Sequence, residues 1–300
     1  MAERPPPAIT GAEITGATRA AAVIGWPARH SLSPTILNAA FAAAGADWVY
    51  LAFEVPEGRA AEAVAAMRSL GLGGLSVTMP HKAAVHDAVD DRTSVAADLG
   101  AVNCVFWRGD RLVGDNTDGD GFLDTLRHDH GIEVAGRRCA LVGAGGAGRA
   151  VARALGVAGA AEVAVVNRSP APAARAAALA GPAGRVGLPA DVGAADLVVN
   201  ATPLGMAGAA SGDEPAALPI DAQALHPGQV VVDLVYHPVE TPLLAAARRR
   251  GAVPVDGVGM LVHQAARAFR RWTGEPAPVG AMAAAARREL ARRAQVDVSP

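Results

Sequence analysis

The chain has 300 residues, a formal net charge of -2 at pH 7 and 51% hydrophobic residues, values typical of a folded protein with one large or two ordinary domains. The charge is nearly balanced and the arginines are scattered, which predicts neither a nucleic-acid-binding face nor a polybasic segment for anionic lipid. We therefore expect a small molecule as the partner.

The two cysteines and the first residues bear on the compartment. Cys104 and Cys139 are too few and too far apart for a disulfide framework or a thiolate metal site. Residues 1–18 contain three prolines and no apolar core, so we expect a disordered tail rather than a signal peptide. No stretch approaches the roughly 18 uninterrupted apolar residues of a membrane span. These features predict a cytoplasmic protein that does not bind membranes.

Strands and helices alternate over the first third of the chain. The predicted elements are a strand at 20–25, a helix after Ser33-Pro34, a strand near 48–55, a helix over about 57–70, a strand at 75–78 and a helix after Pro80. This alternation predicts an α/β domain with a largely parallel sheet.

The middle and the end of the chain follow other patterns. Residues 101–108 and 111–114 flank Gly109-Asp110 as a hairpin, and Asp118-Gly119 opens a helix. The further predicted elements are strands at 139–144, 162–167, 196–202 and 230–236, helices at 149–157 and 173–180, and terminal helices at 260–272 and 281–293. The strands from Cys139 onward predict a doubly wound Rossmann domain, and the terminal helices are expected to return to the first domain.

A glycine-rich turn, Gly143-Ala144-Gly145-Gly146-Ala147-Gly148, stands between an apolar strand and a helix. Glycines at this junction permit a tight turn and let backbone amides approach a pyrophosphate at the positive end of the helix. The turn predicts a dinucleotide site, the alternative being a glycine-rich turn in a chain rich in alanine and glycine.

The next strand ends in Asn167-Arg168-Ser169, about twenty residues further on. An NAD site would place a carboxylate there for the ribose hydroxyls, whereas a guanidinium pairs with a 2′-phosphate. We therefore predict NADP. Arg175 could add a second contact, although the segment between Pro170 and Ala174 leaves this open.

Polar side chains follow several strands of the first domain. The groups are Ser31 with Ser33, Thr78 with His81 and Lys82, and Asn116 with Asp118, and together they suit a ligand with several hydroxyls. Each also has a structural interpretation: Ser33 and Asp118 as helix caps, and Lys82 as a surface lysine. We expect His81 to form a polar wall of the cleft. The histidines lack metal-ligand spacing, so no metal site is predicted.

These segments together resemble the shikimate dehydrogenase family. The matching pieces run in the family's order from about residue 20 to 275: Gly25-Trp26-Pro27, His30 to Pro34, Ser76 to Lys82, Ala101 to Asn103, Asp115 to Gly119, Asn200 to Met206, Asp233 to Tyr236 with Pro238, Thr241 and Pro242, and Met260 to Gln264.

The resemblance implies NADPH-dependent, reversible reduction of 3-dehydroshikimate to shikimate, a step of aromatic amino acid and chorismate biosynthesis. It implies Lys82 and Asp118 as the catalytic pair. The implied substrate residues are Ser31, Ser33, Ser76, Thr78, Asn103, Tyr236 and Gln264, and the implied NADP residues are the turn at 143–148, Asn167, Arg168, Ser169, Thr202 and Gly257.

The implied chemistry is physically coherent. Hydride that reaches a carbonyl leaves charge on the oxygen, which an ammonium can stabilise or protonate while a carboxylate orients it. We expect Lys82 to be a stabiliser and acid in reduction, and which of Lys82 and Asp118 transfers the proton stays open.

Two positions depart from the family's pattern. Ser76 stands where the family commonly has asparagine, which shortens the polar reach toward the substrate ring. Cys104 stands where threonine is usual, and we interpret it as a packing residue.

The domain prediction places a substrate domain at 19–118 and 258–300 and the NADP domain at 119–257, in a monomer or homodimer. Two alternatives stay open: a quinate/shikimate or aminoshikimate-type dehydrogenase, and a non-catalytic, NADP-sensing regulatory protein.

Overall fold

The computed structural model describes residues 14–206 and 219–297. Most of the predicted tail, residues 1–13, lies outside this part of the chain. Residues 14–18 form a turn in which the Thr18 amide donates to the Thr15 carbonyl at 3.2 Å. In the two described ranges, no helix is both long and apolar enough to cross a bilayer.

The first part of the chain forms a six-stranded sheet with helices on both faces. Its elements are β1 (Arg19–Gly25), α1 (Ser33–Ala43), β2 (Trp48–Glu54), α2 (Ala60–Ser69), β3 (Gly74–Val77), α3 (Lys82–Ala88), β4 (Asp91–Arg92), α4 (Ser94–Leu99), β5 (Cys104–Arg108), β6 (Arg111–Asp115) and α5 (Asp118–Asp124), which continues into a π-helical turn at Thr125–Asp129.

The strand order of this first sheet is β2-β1-β3-β5-β6-β4. Strand β1 pairs in parallel with β2 and β3, as the alternation of strands and helices predicts. The predicted hairpin is confirmed as β5 and β6, and it extends the same sheet through antiparallel pairing. The sheet is therefore mixed, because the tight turn at Gly109-Asp110 returns the chain at once and leaves no crossover for a parallel strand.

The second part of the chain forms a six-stranded, all-parallel sheet. Its elements are β7 (Arg138–Val142), α6 (Gly146–Val157), β8 (Glu162–Val166), α7 (Pro170–Leu179), β9 (Gly184–Val186), β10 (Leu197–Asn200), β11 (Val230–Asp233), α8 (Pro242–Arg249) and β12 (Val253–Val255), with short 3₁₀ turns at Gly181–Ala183, Pro189–Ala194 and Ala222–Ala224. The order β12-β11-β10-β7-β8-β9 is that of a doubly wound dinucleotide fold, which confirms the prediction.

The last two helices, α9 (Val258–Thr273) and α10 (Val279–Asp297), return to the first sheet, as predicted. Phe269 is fully buried against Phe41, with ring centroids 5.4 Å apart. The Trp272 indole donates to the Val105 carbonyl at 3.0 Å. Both aromatic residues are therefore packing residues.

Several elements escaped prediction because they are short. Strands β4, β9 and β12 have two or three residues, and α4 has six, so none shows a recognisable period. Helix α6 begins at Gly146, inside the glycine turn and earlier than predicted. The proposed domain limits near residues 118 and 257 fall at the starts of α5 and α9, and these two helices pack against each other.

Candidate active site

A cleft of ≈ 310 Å³ opens between the strand ends of the first sheet and the start of α9. It brings together all seven residues predicted for the substrate, and it reaches the glycine turn at Ala147. The predicted residues that line it are Ser31, Ser33, Ser76, Thr78, Lys82, Asn103, Asp118, Ala147, Tyr236, Gly257 and Gln264.

Lys82 and Asp118 form an ion pair in the wall of this cleft. The Lys82 ammonium donates to Asp118 Oδ2 at 2.6 Å. The side chains keep 24% and 10% exposure respectively, so each is largely shielded while still reaching the cleft. An ammonium in this position is held by one carboxylate and still faces the ligand space.

Asp118 is held from its other side by Asn103. The Asn103 amide group donates to Asp118 Oδ1 at 2.7 Å and to the Thr117 hydroxyl at 3.1 Å. Asn103 Oδ1 in turn accepts the Thr117 backbone N–H at 2.8 Å. Asn103 therefore contacts Asp118 and Thr117 directly, and it also lines the cleft.

Backbone contacts explain why residues so distant in sequence meet here. The Val102 amide donates to the Lys82 carbonyl at 2.9 Å, which ties the start of α3 to the segment before β5. The Asn103 amide donates to the Asp115 carbonyl at the end of β6. Lys82 and Asp118 are the first residues of α3 and α5, so the ends of neighbouring strands place both at one edge.

The capping interpretations of Ser33 and Asp118 are not borne out in the structure. Asp118 is the first residue of its helix rather than the N-cap, and its carboxylate bonds side chains instead of helix amides. Ser33 is likewise the first residue of α1, whose N-cap is Leu32. The surface interpretation of Lys82 is also wrong, because its ammonium is paired inside the cleft.

The loop that carries Ser31 and Ser33 is fixed from two directions. The Ser33 amide donates to Ser31 Oγ at 3.2 Å. Arg293 of α10 donates to the His30 carbonyl at 2.8 Å, so the last helix holds the loop in place. Both hydroxyls consequently stand at a defined site in the cleft wall.

Helix α9 contributes one face to the opposite wall. Gly257, Met260, Leu261 and Gln264 line the cleft, at the i, i+3, i+4 and i+7 spacing of a single helix face. Met260 and Leu261 were not predicted as site residues, and this spacing from Gly257 is the signal that identifies them. A side chain at Gly257 would place its Cβ 2.4 Å from the Leu234 carbonyl oxygen, so the close contact requires glycine.

Tyr236 reaches the cleft from the segment after β11. Burial raises the pKa of the Tyr236 hydroxyl, and the charge of Arg293 partly opposes this shift. The hydroxyl is therefore protonated at neutral pH and can donate a hydrogen bond to a ligand in the cleft.

A buried carboxylate, Asp233, anchors that segment. Its oxygens accept from the Asn200 amide group at 2.8 Å, the Val235 amide at 3.1 Å and the Thr241 hydroxyl at 2.6 Å. Burial raises the pKa of Asp233, and these three hydrogen bonds oppose the shift. The network fixes the chain just before it lines the cleft at Leu234 and Tyr236.

The glycine turn has the shape that close approach of a phosphate group requires. Gly143 has a φ of +104°, and a Cβ on Gly148 would lie 2.1 Å from the Gly143 carbonyl oxygen. Gly145 and Gly146 would each place a Cβ in open space. The turn therefore packs tightly through Gly143 and Gly148 and leaves an open cradle at the N-terminus of α6.

The remaining predicted NADP residues lie at the carboxyl ends of the strands beside this turn. Asn167 Oδ1 accepts the Ala144 amide at 3.2 Å, and its amide group donates to the Ser169 carbonyl at 3.0 Å. Arg168 and Arg175 are exposed. Thr202 follows β10 and lies against Gly143, where the strand order reverses between β7 and β10.

The prediction for His81 is wrong. The side chain is buried, and Nε2 lies 2.7 Å from the Val55 carbonyl oxygen, so the ring links the start of α3 to the end of β2.

Cys104 is a buried packing residue, as interpreted, and burial raises the pKa of its thiol. Among the residues the structure describes, no group of three or more His, Cys, Asp or Glu could hold a metal ion.

The composition carries a further signal for Lys82, which the motifs alone do not express. Lys82 is the single lysine of the chain, and all the other residues in the combined Lys and Arg count are arginines. Lysine is a compact charge that can give up its proton, whereas arginine stays protonated. Lys82 is therefore the one side chain among the 27 Lys and Arg residues that can readily exchange a proton.

Comparison with known proteins identifies relatives along almost the whole chain. Residues 23–105 match the family model of the shikimate dehydrogenase substrate binding domain, and residues 257–287 match that of the shikimate 5'-dehydrogenase C-terminal domain. The chain is 46% identical to the shikimate dehydrogenase (NADP(+)) of Moorella thermoacetica over 283 residues, which cover 90% of this chain and 93% of that protein.

Solved structures agree with the sequence comparison. The shikimate 5-dehydrogenase of Thermus thermophilus, in complex with NADP(H) and shikimate, has a TM-score of 0.82 at 37% identity and covers 90% of this chain and 99% of its own. The quinate dehydrogenase of Corynebacterium glutamicum, in complex with NAD, has a TM-score of 0.80 at 33% identity, with coverage of 89% and 98%.

Two glycine substitutions separate the packing of the turn from its open cradle. Gly148→Ala should destabilise the fold by about 1–3 kcal/mol, because the new methyl group meets a backbone oxygen. Gly146→Ala should change stability by less than about 0.5 kcal/mol yet weaken NADP⁺ binding roughly tenfold, about 1.4 kcal/mol. Urea unfolding and calorimetric titration measure the two effects, and unchanged NADP⁺ affinity in Gly146→Ala would contradict the cradle.

Proposed function

The chain belongs to the shikimate dehydrogenase family, and we propose that it catalyses the reversible, NADPH-dependent reduction of 3-dehydroshikimate to shikimate. The observation that carries this proposal is the Lys82–Asp118 ion pair, which lines the same cleft as the predicted substrate residues and Ala147 of the glycine turn. A single cleft thus contains a pair of side chains that can transfer a proton, next to the glycine turn that can bind a dinucleotide.

The residues of the second sheet fit NADP. The cradle at Gly145 and Gly146 leaves room for a pyrophosphate at the start of α6, and Arg168 is exposed at the end of the next strand to pair with a 2′-phosphate. When bound, NADPH supplies the hydride that reduces the ring ketone.

Lys82 serves the oxygen of that ketone. As the carbonyl carbon is reduced, negative charge develops on its oxygen, and an ammonium in the largely shielded cleft stabilises it more strongly than water would. Lys82 can then donate a proton to the alkoxide, which yields the hydroxyl of shikimate. In the reverse direction the same amine accepts the proton.

Asp118 gives Lys82 its position and balances its charge. With Oδ2 on Lys82 and Oδ1 on Asn103, the carboxylate cannot rotate without losing a short hydrogen bond. We propose that Asn103 acts mainly through this contact. A lysine held in this way loses little conformational entropy when it adopts the reactive geometry.

The other polar residues of the cleft orient the substrate. Ser31, Ser33, Thr78 and the protonated hydroxyl of Tyr236 can bind the ring's hydroxyls and carboxylate. The Gln264 amide group donates to the Leu261 carbonyl at 2.8 Å, which leaves its Oε1 as an acceptor for a ring hydroxyl. These donors and acceptors surround the cleft, as recognition of a polyhydroxylated ring requires.

A second candidate activity is oxidation of quinate, which carries an additional ring hydroxyl. Ser76 lines the cleft where the family commonly has a longer asparagine, so the wall there has room for a further substituent. An NADP-sensing role without turnover is the weaker alternative, because Lys82 and Asp118 are both present and form an ion pair in the cleft. We also propose a cytoplasmic location, which suits two buried free cysteines, and a monomeric or homodimeric state.

Oxidation rates with shikimate and quinate, each with NADP⁺ and NAD⁺, test the proposed function. We expect absorbance at ~340 nm, the signal of the reduced nicotinamide, to rise fastest with shikimate and NADP⁺. No turnover of either acid with either cofactor would contradict a dehydrogenase, and a higher kcat/KM for quinate would replace shikimate as the substrate.

Replacing Arg168 tests the choice of cofactor. Arg168→Ala should lower kcat/KM for NADP⁺ by roughly 10- to 100-fold, the value of a charge-assisted hydrogen bond, and leave NAD⁺ almost unaffected. Arg249→Ala, an exposed arginine at the end of α8, is the control. Equal losses for NADP⁺ and NAD⁺ in Arg168→Ala would show that the guanidinium does not meet the 2′-phosphate.

Replacing Lys82 tests the catalytic assignment. Lys82→Ala should reduce kcat by roughly 10²- to 10⁴-fold, as loss of an oxyanion donor and acid does, while NADP⁺ affinity changes little. Asp87→Asn, at an exposed position of the same helix, is the control. Equal losses of kcat and NADP⁺ affinity would indicate a structural rather than a catalytic lysine.

A further inference from the structure

The Tyr50 hydroxyl is buried without a hydrogen bond. The Tyr50 side chain is 1% exposed, and among the described residues its oxygen is the buried side-chain polar atom that lacks a partner. A phenylalanine would fill the same space without leaving a polar atom unsatisfied. Packing therefore does not account for the hydroxyl.

The sheet register places Tyr50 on the same face of the sheet as Ser76, which lines the cleft. Ala21 of β1 stands between Tyr50 and Gly74, and Val23 stands beside Ser76 one step along the same face. The Tyr50 ring stacks on Trp272 at 5.8 Å between centroids. The small side chain of Ala21 leaves the tyrosine room to extend, and the Trp272 indole fills the space above Gly74.

Ser76 is the polar side chain that acts on the phenol most strongly. Burial raises the pKa of Tyr50, and the Ser76 side chain opposes this shift, although the two hydroxyls do not form a hydrogen bond in this structure. Cys104 of β5 is paired with Ser76 of β3, and its sulfur is only a weak hydrogen-bond acceptor for the phenol. Ser76 lines the cleft, whereas Tyr50 does not, so the serine oxygen stands between the phenol and the ligand space.

We propose that, when substrate is bound, the Tyr50 hydroxyl donates to Ser76 Oγ and thereby directs the Ser76 proton toward a ring oxygen of the substrate. A serine hydroxyl has one proton and can rotate freely about its Cβ–Oγ bond. A protonated phenol at its back occupies one of its two lone pairs and turns the serine proton toward the cleft, where it can be donated. Tyr50 is in this sense a positioning residue for Ser76.

The relay sets the chemical class of the group that meets Ser76. A hydroxyl, ketone or carboxylate oxygen has a lone pair and accepts the serine proton, whereas an ammonium has none. The cleft therefore favours an oxygen substituent at this place on the ring over a charged amine. This inference rests on the proposed function and refines it, because it speaks against an aminated ring as the natural substrate.

A double-mutant cycle with Tyr50→Phe and Ser76→Ala tests the relay. Each single variant should raise KM for shikimate roughly 3- to 10-fold, the loss of one neutral hydrogen bond, and leave KM for NADP⁺ unchanged. The double variant should be no worse than Ser76→Ala alone, because Tyr50 acts through the serine. Phe41→Leu, in the same buried core, should lower thermal stability without changing KM for shikimate.

Three results would overturn the relay. They are an unchanged KM for shikimate in Tyr50→Phe, an undiminished effect of Tyr50→Phe in the Ser76→Ala background, and a parallel rise of KM for both substrates. Should Tyr50→Phe fold poorly, a Ser76→Ala variant with normal KM for shikimate contradicts the relay independently. Absence of shikimate turnover in the parent chain would instead contradict the proposed function, and the relay with it.

Discussion

The site depends on one short ion pair, between Lys82 and Asp118. An ammonium in a partly shielded cleft needs a counter-charge, and a carboxylate at 2.6 Å supplies it while leaving a face of the lysine toward the ligand. The surrounding contacts serve this pair: Asn103 fixes the carboxylate, and the Val102 amide fixes the start of the lysine's helix. A shift of either helix start would separate the pair.

A second constraint is that residues from both sheets line the cleft. The first sheet provides the ion pair and the serine loop, and the second provides the glycine turn and, through the buried Asp233 network, the segment that carries Tyr236. Helix α9 joins the two, because its first turns line the cleft and its later turns pack with Phe269 and Trp272 in the core of the first sheet. Packing energy far from the chemistry thus sets the geometry of the cleft.

The sequence predicted the two sheets and the glycine turn, because long periodic elements and motifs express local rules. The family resemblance pointed to Lys82 and Asp118, which the structure joins in an ion pair. The sequence did not predict that the hairpin joins the first sheet, since pairing between distant strands leaves no local mark. It also wrongly placed His81 in the cleft wall. The neighbouring Lys82 faces the cleft, whereas the His81 imidazole contacts the Val55 carbonyl oxygen. The roles proposed for Asn103 and Tyr50 depend on neighbours brought together by folding, which spacing alone does not reveal.

The measurement that tests the account most directly is a double-mutant cycle on kcat for shikimate oxidation, with Lys82→Met, Asp118→Asn and the two combined. Residues that act as one unit give strongly non-additive losses. The account predicts that the double variant is about as slow as the slower single variant. Losses that multiply would show that Lys82 and Asp118 act separately, and would contradict the ion pair as the centre of the site.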